Sequence, residues 1–257
     1  MRYIKGFYMS LGMFTGIPLP FHIWDNKLTS IMVASLPLIG AIIGLIWWAA
    51  ALLLIIPSLP LMMVSAILTV VPFFVAGFIH LDGYMDTSDA RLSYRSLDDK
   101  LRILKDPTVG AFSVVMLVIL FFLQFAAVYS IVESGRHLAL LIAICTVSRG
   151  CSAFSIFVLR HMPESNYTAN LGRDIGFWHK VFIVIAIVGT AALSFLYSGF
   201  AGLAVVFAVV LGYVLSMRIV YKDFGGVSGD LLGYSLVISE LCGLIALALL
   251  QGVTTWF

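Results

Sequence analysis

Long apolar stretches without a charged residue alternate along the chain with short polar segments. The first, residues 28–81, is far longer than the roughly 20 residues that one helix needs to cross a bilayer. It is interrupted by Pro57-Ser58-Leu59-Pro60, so it predicts two helices joined by a tight hairpin. Residues 181–217 are also too long for one span, and Tyr197-Ser198-Gly199 is the predicted turn between two helices.

Three further stretches are each long enough for one span: 107–132, 138–159 and 231–250. The pattern therefore predicts an all-α, polytopic helical membrane protein with about seven transmembrane helices. Residues 1–27 mix aromatic and polar positions, which is typical of an interfacial or re-entrant segment rather than a full span. The whole chain, residues 1–257, is interpreted as a single integral membrane domain.

Basic residues fall mainly on one side of this topology. The N-terminal segment and the loops after the second, fourth and sixth spans hold all but two: Arg2, Lys5, Lys27, Arg91, Arg95, Lys100, Arg102, Lys105, Arg160, Arg173, Lys180, Arg218 and Lys222. By the positive-inside rule these segments face the cytoplasm and Phe257 lies outside. We therefore expect a multi-pass protein of the cytoplasmic (inner) membrane, with its chemistry on the cytoplasmic face.

The composition excludes several classes of protein. Hydrophobic residues make up 61% of the chain and charged residues 11%, and the mean hydropathy is +1.08. Both a soluble globular domain and a disordered chain are therefore excluded, and the lipid bilayer is the expected surrounding. The net charge of +2 provides no basic field for nucleic acid. Cys145, Cys151 and Cys242 lack metal-ligand spacing and are interpreted as small buried residues.

Three aspartates follow the second predicted span at helical spacing. Asp82, Asp86 and Asp89 are related as i, i+4 and i+7, which places them on one face of a helix. Crowded carboxylates repel one another, and a bound divalent cation removes that repulsion. Oxygen ligands of this kind suit Mg²⁺, although a solvated acidic helix end is the alternative. The preceding His80 could hydrogen-bond a phosphate, or it could be structural.

The rest of this segment, interpreted as a cytoplasmic catalytic loop over residues 81–109, is rich in Lys and Arg. On its own such a loop is most often a solvated surface. Beside a metal-binding acidic face it is what an anionic diphosphate substrate requires. Lys105 and Asp106 then lead into the third span.

Two charged residues interrupt the later spans and are candidates for function. Arg149 and Glu240 lie at similar depth in the fourth and seventh spans, so a salt bridge between them is the least costly arrangement. The pair could be purely structural or could orient substrate. Asp230 follows the glycine-rich segment 225–229 at the start of the seventh helix, where it could cap the helix or contribute to a ligand site.

The sequence His80-Leu81-Asp82-Gly83-x-x-Asp86-Thr87-x-Asp89 resembles the acidic motif of the cobalamin synthase family, the adenosylcobinamide-GDP ribazoletransferases. The resemblance extends in consistent order over nearly the whole chain. The other matching segments are Phe14-Thr15-x-Ile17-Pro18, Pro37-Leu38-Ile39-Gly40, Lys105-Asp106-x-x-x-Gly110, Ser148-Arg149-Gly150 and Gly225-Gly226-Val227-Ser228-Gly229-Asp230-x-x-Gly233 with Glu240. The chain departs from the family at Gly16, where Arg is usual, and at Ala90, where Gly is usual.

The resemblance implies a Mg²⁺-dependent membrane enzyme that completes cobamide assembly. Adenosylcobinamide-GDP and α-ribazole, or its 5′-phosphate, would yield adenosylcobalamin, or its phosphate, and GMP. The implied catalytic and metal-binding residues are Asp82, Asp86 and Asp89. The implied substrate-binding residues are His80, Lys105, Asp106, Arg149, Asp230 and Glu240.

The sequence also leaves two other functions as alternatives. CDP-alcohol phosphotransferases also place spaced aspartates at a membrane surface, but Met85-Asp86 stands where their Ala-Arg pair is expected. A secondary transporter could use intramembrane charges as an ion relay, but the sequence contains no recognisable inverted repeat. The sequence leaves a homo-oligomer open.

Overall fold

A computed structural model describes residues 1–55, 59–162 and 176–253. These residues form a helical bundle whose helices are α1 (Arg2–Phe14), α2 (Thr29–Ala34), α3 (Leu36–Ile55), α4 (Leu61–Val75), α5 (Ile79–Leu92), α6 (Leu97–Ile103), α7 (Ala111–Ser134), α8 (Leu140–Val158), α9 (Phe177–Ser198), α10 (Phe200–Phe224) and α11 (Gly229–Val253). Pro57, Ser58, Arg173 and Phe257, on which parts of the predicted topology depend, lie outside the described residues.

The predicted all-α membrane architecture is confirmed. Six of the described helices are long and apolar enough to cross a bilayer, and the bent pair α4–α5 raises the number to seven if it is counted as one span. The predicted turn in the 181–217 stretch occurs at Gly199, whose φ of 62° separates α9 from α10. An isolated parallel bridge between His161 and Val227 joins the chain after α8 to the start of α11.

Pro72 inside α4 disturbs the hydrogen bonding of the preceding turn, and neighbouring helices donate to two carbonyls there. Proline has no N–H, so the Leu68 carbonyl loses its helical partner. The Nε1 of Trp47 in α3 donates to that oxygen at 2.8 Å. In the same turn, the Nε2 of Gln124 in α7 donates to the Thr69 carbonyl at 2.9 Å. Both bonds are buried, where an unpaired carbonyl would cost about 1–3 kcal/mol, so they stabilise α4 between α3 and α7.

The chain bends by 94° between α4 and α5. Gly77 and Phe78 both have left-handed φ values, 66° and 62°. The N-terminal segment packs directly on this bend, because the N–H of Gly16 donates to the Val75 carbonyl at 2.9 Å. A Cβ at Gly16 would lie only 2.9 Å from the Phe74 oxygen. The position at which the resembled family usually has arginine therefore makes a close backbone contact in this chain.

Helices α8 and α11 form the centre of the bundle. Within the bundle, 78% of the apolar stretch of α8 and 72% of that of α11 are buried, compared with 11% for α9. The central pair contains both charged residues that interrupt the later spans. The 13-residue α1 is too short to cross a bilayer.

Helix α5 lies across the end of the bundle at which α7 and α11 begin and α10 ends. The hydroxyl of Tyr84 donates to the Met116 carbonyl in the second turn of α7 at 3.1 Å. Its ring stacks on Tyr234 in the second turn of α11, with a centroid separation of 5.5 Å. Arg91 forms a 2.9 Å salt bridge with Asp223 near the end of α10. These contacts place α5 across the end of the bundle at which the sequence predicts the cytoplasmic loops.

Candidate active site

The three spaced aspartates belong to one helix. Asp82, Asp86 and Asp89 all lie in α5, which confirms that they share a helix at i, i+4 and i+7. Asp82 is exposed, whereas Asp86 and Asp89 are half-buried. The exposure of the acidic side chains therefore decreases along α5 from Asp82 to Asp86 and Asp89.

A fourth carboxylate comes from the start of α11. Helices α5 and α11 approach so closely at Gly83 that a Cβ there would lie 2.8 Å from the Cα of Asp230. Burial, and then the charges of Asp82, Asp230 and Asp89, raise the pKa of Asp86 to about 6. Because all three neighbours act on Asp86, the structure brings the four carboxylates into one electrostatic group. From the sequence alone, Asp230 was a candidate separate from the three aspartates of α5.

Asp89 lies against the first residues of α7. A Cβ at Gly110, the N-terminal cap of α7, would overlap both carboxylate oxygens of Asp89. The glycine therefore makes room for the acid, and the carboxylate lies where a helix N-terminus favours negative charge.

The acidic group offers carboxylate oxygens as donors to a magnesium ion. Among the described residues, no three His, Cys, Asp or Glu side chains are arranged closely enough to form a preformed metal cage. Mg²⁺ does not require such a cage, because it commonly keeps several waters and binds one or two carboxylates together with substrate phosphates. The donors present, carboxylates crowded around Asp86, therefore fit a magnesium ion that is shared with a diphosphate substrate.

Arg149 and Glu240 form the expected salt bridge between α8 and α11. The Nη1 of Arg149 donates to the Oε1 of Glu240, and it also donates to the Cys145 carbonyl at 3.2 Å. The hydroxyl of Ser148 donates to the same Glu240 oxygen at 2.9 Å. Both charged side chains are buried, so each charge is neutralised and hydrogen-bonded where solvent is excluded.

The segment between α6 and α7 is exposed and locally hydrogen-bonded. The N–H and the hydroxyl of Thr108 both donate to Oδ1 of Asp106, at 2.9 and 2.6 Å. These bonds hold the pKa of Asp106 below its ordinary value. Asp106 therefore shapes the turn before α7, and the exposed Lys105 precedes it.

Two cations of the basic loop connect α5 and α6 to α10. Arg91 pairs with Asp223, and the ammonium of Lys100 lies 5.9 Å from the ring centroid of Phe224. Sequence reasoning did not identify Asp223. Its partner is 132 residues away along the chain, and no local pattern relates the two positions.

A cavity of about 270 Å³ opens beside the acidic group. Asp82, His80 and Asp230 contribute to its wall, and most of the remaining wall is apolar and comes from α1, α3, α8 and α11. The ring of His80 stacks on Phe14 at a centroid distance of 6.2 Å. Its Nε2 is buried and has no hydrogen-bond partner among the residues that the structure describes. The structure thus brings His80, Asp82 and Asp230 together, whereas Lys105 and Asp106 lie on the exposed loop.

The comparisons with known proteins agree on one family. The family model described as cobalamin-5-phosphate synthase matches residues 6–248. An adenosylcobinamide-GDP ribazoletransferase of Clostridium botulinum (strain Alaska E43 / Type E3) is 36% identical over 245 residues, covering 95% of this chain and 97% of the relative. Enzymes with the same name from Clostridium perfringens (strain SM101 / Type A) and Geobacillus kaustophilus (strain HTA426) are 34% and 30% identical. The first alignment covers 96% of this chain and 99% of the relative, and the second covers 89% of each. No solved structure matches the chain significantly.

Proposed function

The chain belongs to the cobalamin-5-phosphate synthase family, and from this premise we propose that it transfers the adenosylcobinamide-phosphate group of adenosylcobinamide-GDP to α-ribazole or its 5′-phosphate. GMP is the leaving group, and Mg²⁺ is required. The chain is an enzyme of cobalamin synthesis with multiple membrane helices. The proposal extends this to the substrates, the metal and the residues.

The observation that carries the proposal is the group of four carboxylates at one end of the bundle. Repulsion and desolvation make such a group costly unless a cation is bound. Asp82 and Asp86, with Asp89 on the same face, would hold Mg²⁺ together with the diphosphate of the donor. When bound, Mg²⁺ neutralises charge on the diphosphate and on the departing GMP. Lys105, on the adjacent exposed loop, would contact non-bridging phosphate oxygens.

The proposed reaction is a single in-line displacement. The hydroxyl oxygen of the ribazole forms a bond to the phosphorus attached to cobinamide, while the bond from that phosphorus to the GMP oxygen breaks. The hydroxyl proton passes to a carboxylate of α5. Asp86 is the favoured acceptor, because the Asp89 carboxylate is held against the backbone at Gly110. A substrate chiral at the attacked phosphorus should therefore be inverted, and retention would indicate a double displacement.

The remaining candidates have supporting roles in the proposal. His80 and Asp230 would contact substrate from the wall of the cavity beside the acidic group. Asp106 orders the loop that carries the phosphate-binding lysine. Arg149 and Glu240 hold α8 against α11, so they act on substrate by positioning the walls of the cavity.

We place the reaction at the cytoplasmic face of the cell membrane. The distribution of Lys and Arg supports this orientation, because the acidic group lies at the end of the bundle that carries the basic loops. A cysteine introduced at exposed Asp98 should react with an impermeant maleimide in inverted vesicles but not in intact cells. Labelling in intact cells would reverse the orientation.

The proposed activity is tested by release of GMP from adenosylcobinamide-GDP in purified enzyme. Release should depend on both added α-ribazole and Mg²⁺. Asp82→Ala, Asp86→Ala and Asp89→Ala should each abolish turnover while the protein still inserts and folds. Asp98→Ala is the matched control, since Asp98 is an exposed acid in the first turn of α6 and should retain activity. Release of GMP without an acceptor, or turnover without a divalent cation, would contradict the proposal.

A further inference from the structure

The cavity beside the acidic group differs from it in chemistry. Its wall is mostly apolar, and the carboxylates of Asp82 and Asp230 are two of its few polar groups. Ile156 of α8 contributes to the apolar part and is only 4% exposed. The cavity therefore suits a molecule that is largely apolar and carries its reactive group at one end.

One polar atom in this region lacks a partner. The Nε2 of His80 is buried, and the described residues offer it no hydrogen bond. An unpaired buried donor or acceptor is unfavourable, so a ligand that pairs with it gains affinity. The ring of His80 stacks on Phe14 with an interplanar angle of 12°, which restricts its orientation. The unpaired nitrogen is therefore a preorganised contact for one heteroatom of a ligand.

We propose that this cavity binds the aromatic base of the nucleoside acceptor, with the Nε2–H of His80 donating to the ring nitrogen that carries no ribose. The inference rests on the proposed function, in which α-ribazole is the acceptor. The base of α-ribazole is a flat, methylated bicycle with one unsubstituted ring nitrogen, so its polarity matches this wall. Its ribose would extend towards Asp82 and Asp230, which places the attacking hydroxyl at the carboxylates of α5.

The size of the cavity distinguishes between the two substrates. At about 270 Å³ it is near the lower limit of small-molecule pockets, roughly 300 Å³. A nucleoside base fits this volume, whereas a corrin macrocycle does not, so the corrinoid of the donor remains outside. The guanine of the donor is the remaining competitor. It has N7, O6 and an N2 amino group to satisfy, and a mostly apolar wall serves it poorly.

The test changes the volume of the cavity in both directions. Ile156→Trp should raise the KM for α-ribazole by about 10–200-fold, the range that a mismatched hydrophobic group produces, and leave the KM for adenosylcobinamide-GDP unchanged. Val158→Trp is the matched control on the same helix; this residue is 53% exposed and should alter neither value. Ile156→Ala enlarges the cavity without adding bulk, so it tests the inference even if the tryptophan variant does not fold. It should lower the KM for acceptors with larger aromatic bases.

The hydrogen bond of His80 has its own readout. Wild-type enzyme should prefer α-ribazole to an indole riboside that lacks the free ring nitrogen, and His80→Phe should lose this preference. An increase in the KM of the donor alone in Ile156→Trp would assign the cavity to guanine and overturn the inference. The inference would also be overturned if Ile156→Trp left the KM for α-ribazole unchanged and Ile156→Ala left the KM for larger acceptors unchanged. GMP release by the wild-type enzyme distinguishes these failures from failure of the proposed function. If the proposed function is wrong, the wild-type enzyme and every variant release no GMP.

Discussion

Replacing Gly83 by alanine tests whether the contact between α5 and α11 assembles the acidic group. The new Cβ would lie 2.8 Å from Cα and 2.9 Å from the carbonyl oxygen of Asp230. Carbon atoms in ordinary contact are about 3.5–4.0 Å apart, so the two helices must separate by about 1 Å. Both obstructing atoms belong to the backbone, and no rotamer change can relieve the overlap. Asp230 must therefore move away from Asp82 and Asp86.

The expected losses in stability and in activity differ in size. Overpacking of this kind costs about 1–3 kcal/mol. Alanine is favoured over glycine inside a helix by about 1 kcal/mol, which offsets part of that cost. The net loss in the free energy of unfolding is therefore at most about 2 kcal/mol, enough to lower Tm by a few degrees. A displacement of about 1 Å in a catalytic arrangement can reduce turnover by about 100-fold, so activity should fall far more than stability.

The assay compares the rate of GMP release at saturating substrates with Tm from thermal unfolding of the same purified samples. Gly189→Ala is the matched control, because Gly189 lies inside α9 and a Cβ there would meet no atom within 4 Å. It should retain both activity and stability. Wild-type turnover and Tm in Gly83→Ala would refute the close approach of α5 and α11. Parallel losses of activity and folded protein would refute a specific effect on the site.

Three further predictions address other contacts. Arg149→Met and Glu240→Gln should each lower the free energy of unfolding by about 3–5 kcal/mol, and the double variant should recover stability. Thermal unfolding in detergent measures this effect. Additive losses in the double variant would show that the two charges are not coupled. Activity that recovers with stability in the double variant would identify the pair as structural. Trp47→Phe leaves a carbonyl of α4 without its donor and should cost about 1–3 kcal/mol in the same assay, whereas unchanged stability would mean that the bond is dispensable. Gly110→Ala should displace the Asp89 carboxylate and reduce GMP release without loss of membrane insertion, and full activity would contradict the contact between them.

Local patterns in the sequence were sufficient for the spans and for part of the site. Hydropathy locates the apolar helices because each must cover about 30 Å of hydrocarbon. The stretch 181–217 is too long for one such helix, so a break near Gly199 was predictable. The shared face of Asp82 and Asp89 follows from helical periodicity alone. The pairing of Arg149 with Glu240 was also predictable, since a charge at that depth requires a partner and these two are at equal depth.

The tertiary structure alone determined how distant segments complete the site. The approach of Asp230 to the acidic face depends on the crossing of α5 and α11 at Gly83, and the cavity depends on five helices that contribute its wall. Pro72 is visible in the sequence, but the donors that serve the disturbed turn come from α3 and α7. Hydropathy and periodicity specify which face of a helix is apolar, but they do not specify which other helix covers that face or at what distance. Those distances depend on side-chain packing between helices that are far apart in the chain, so they become determinate only in the folded bundle.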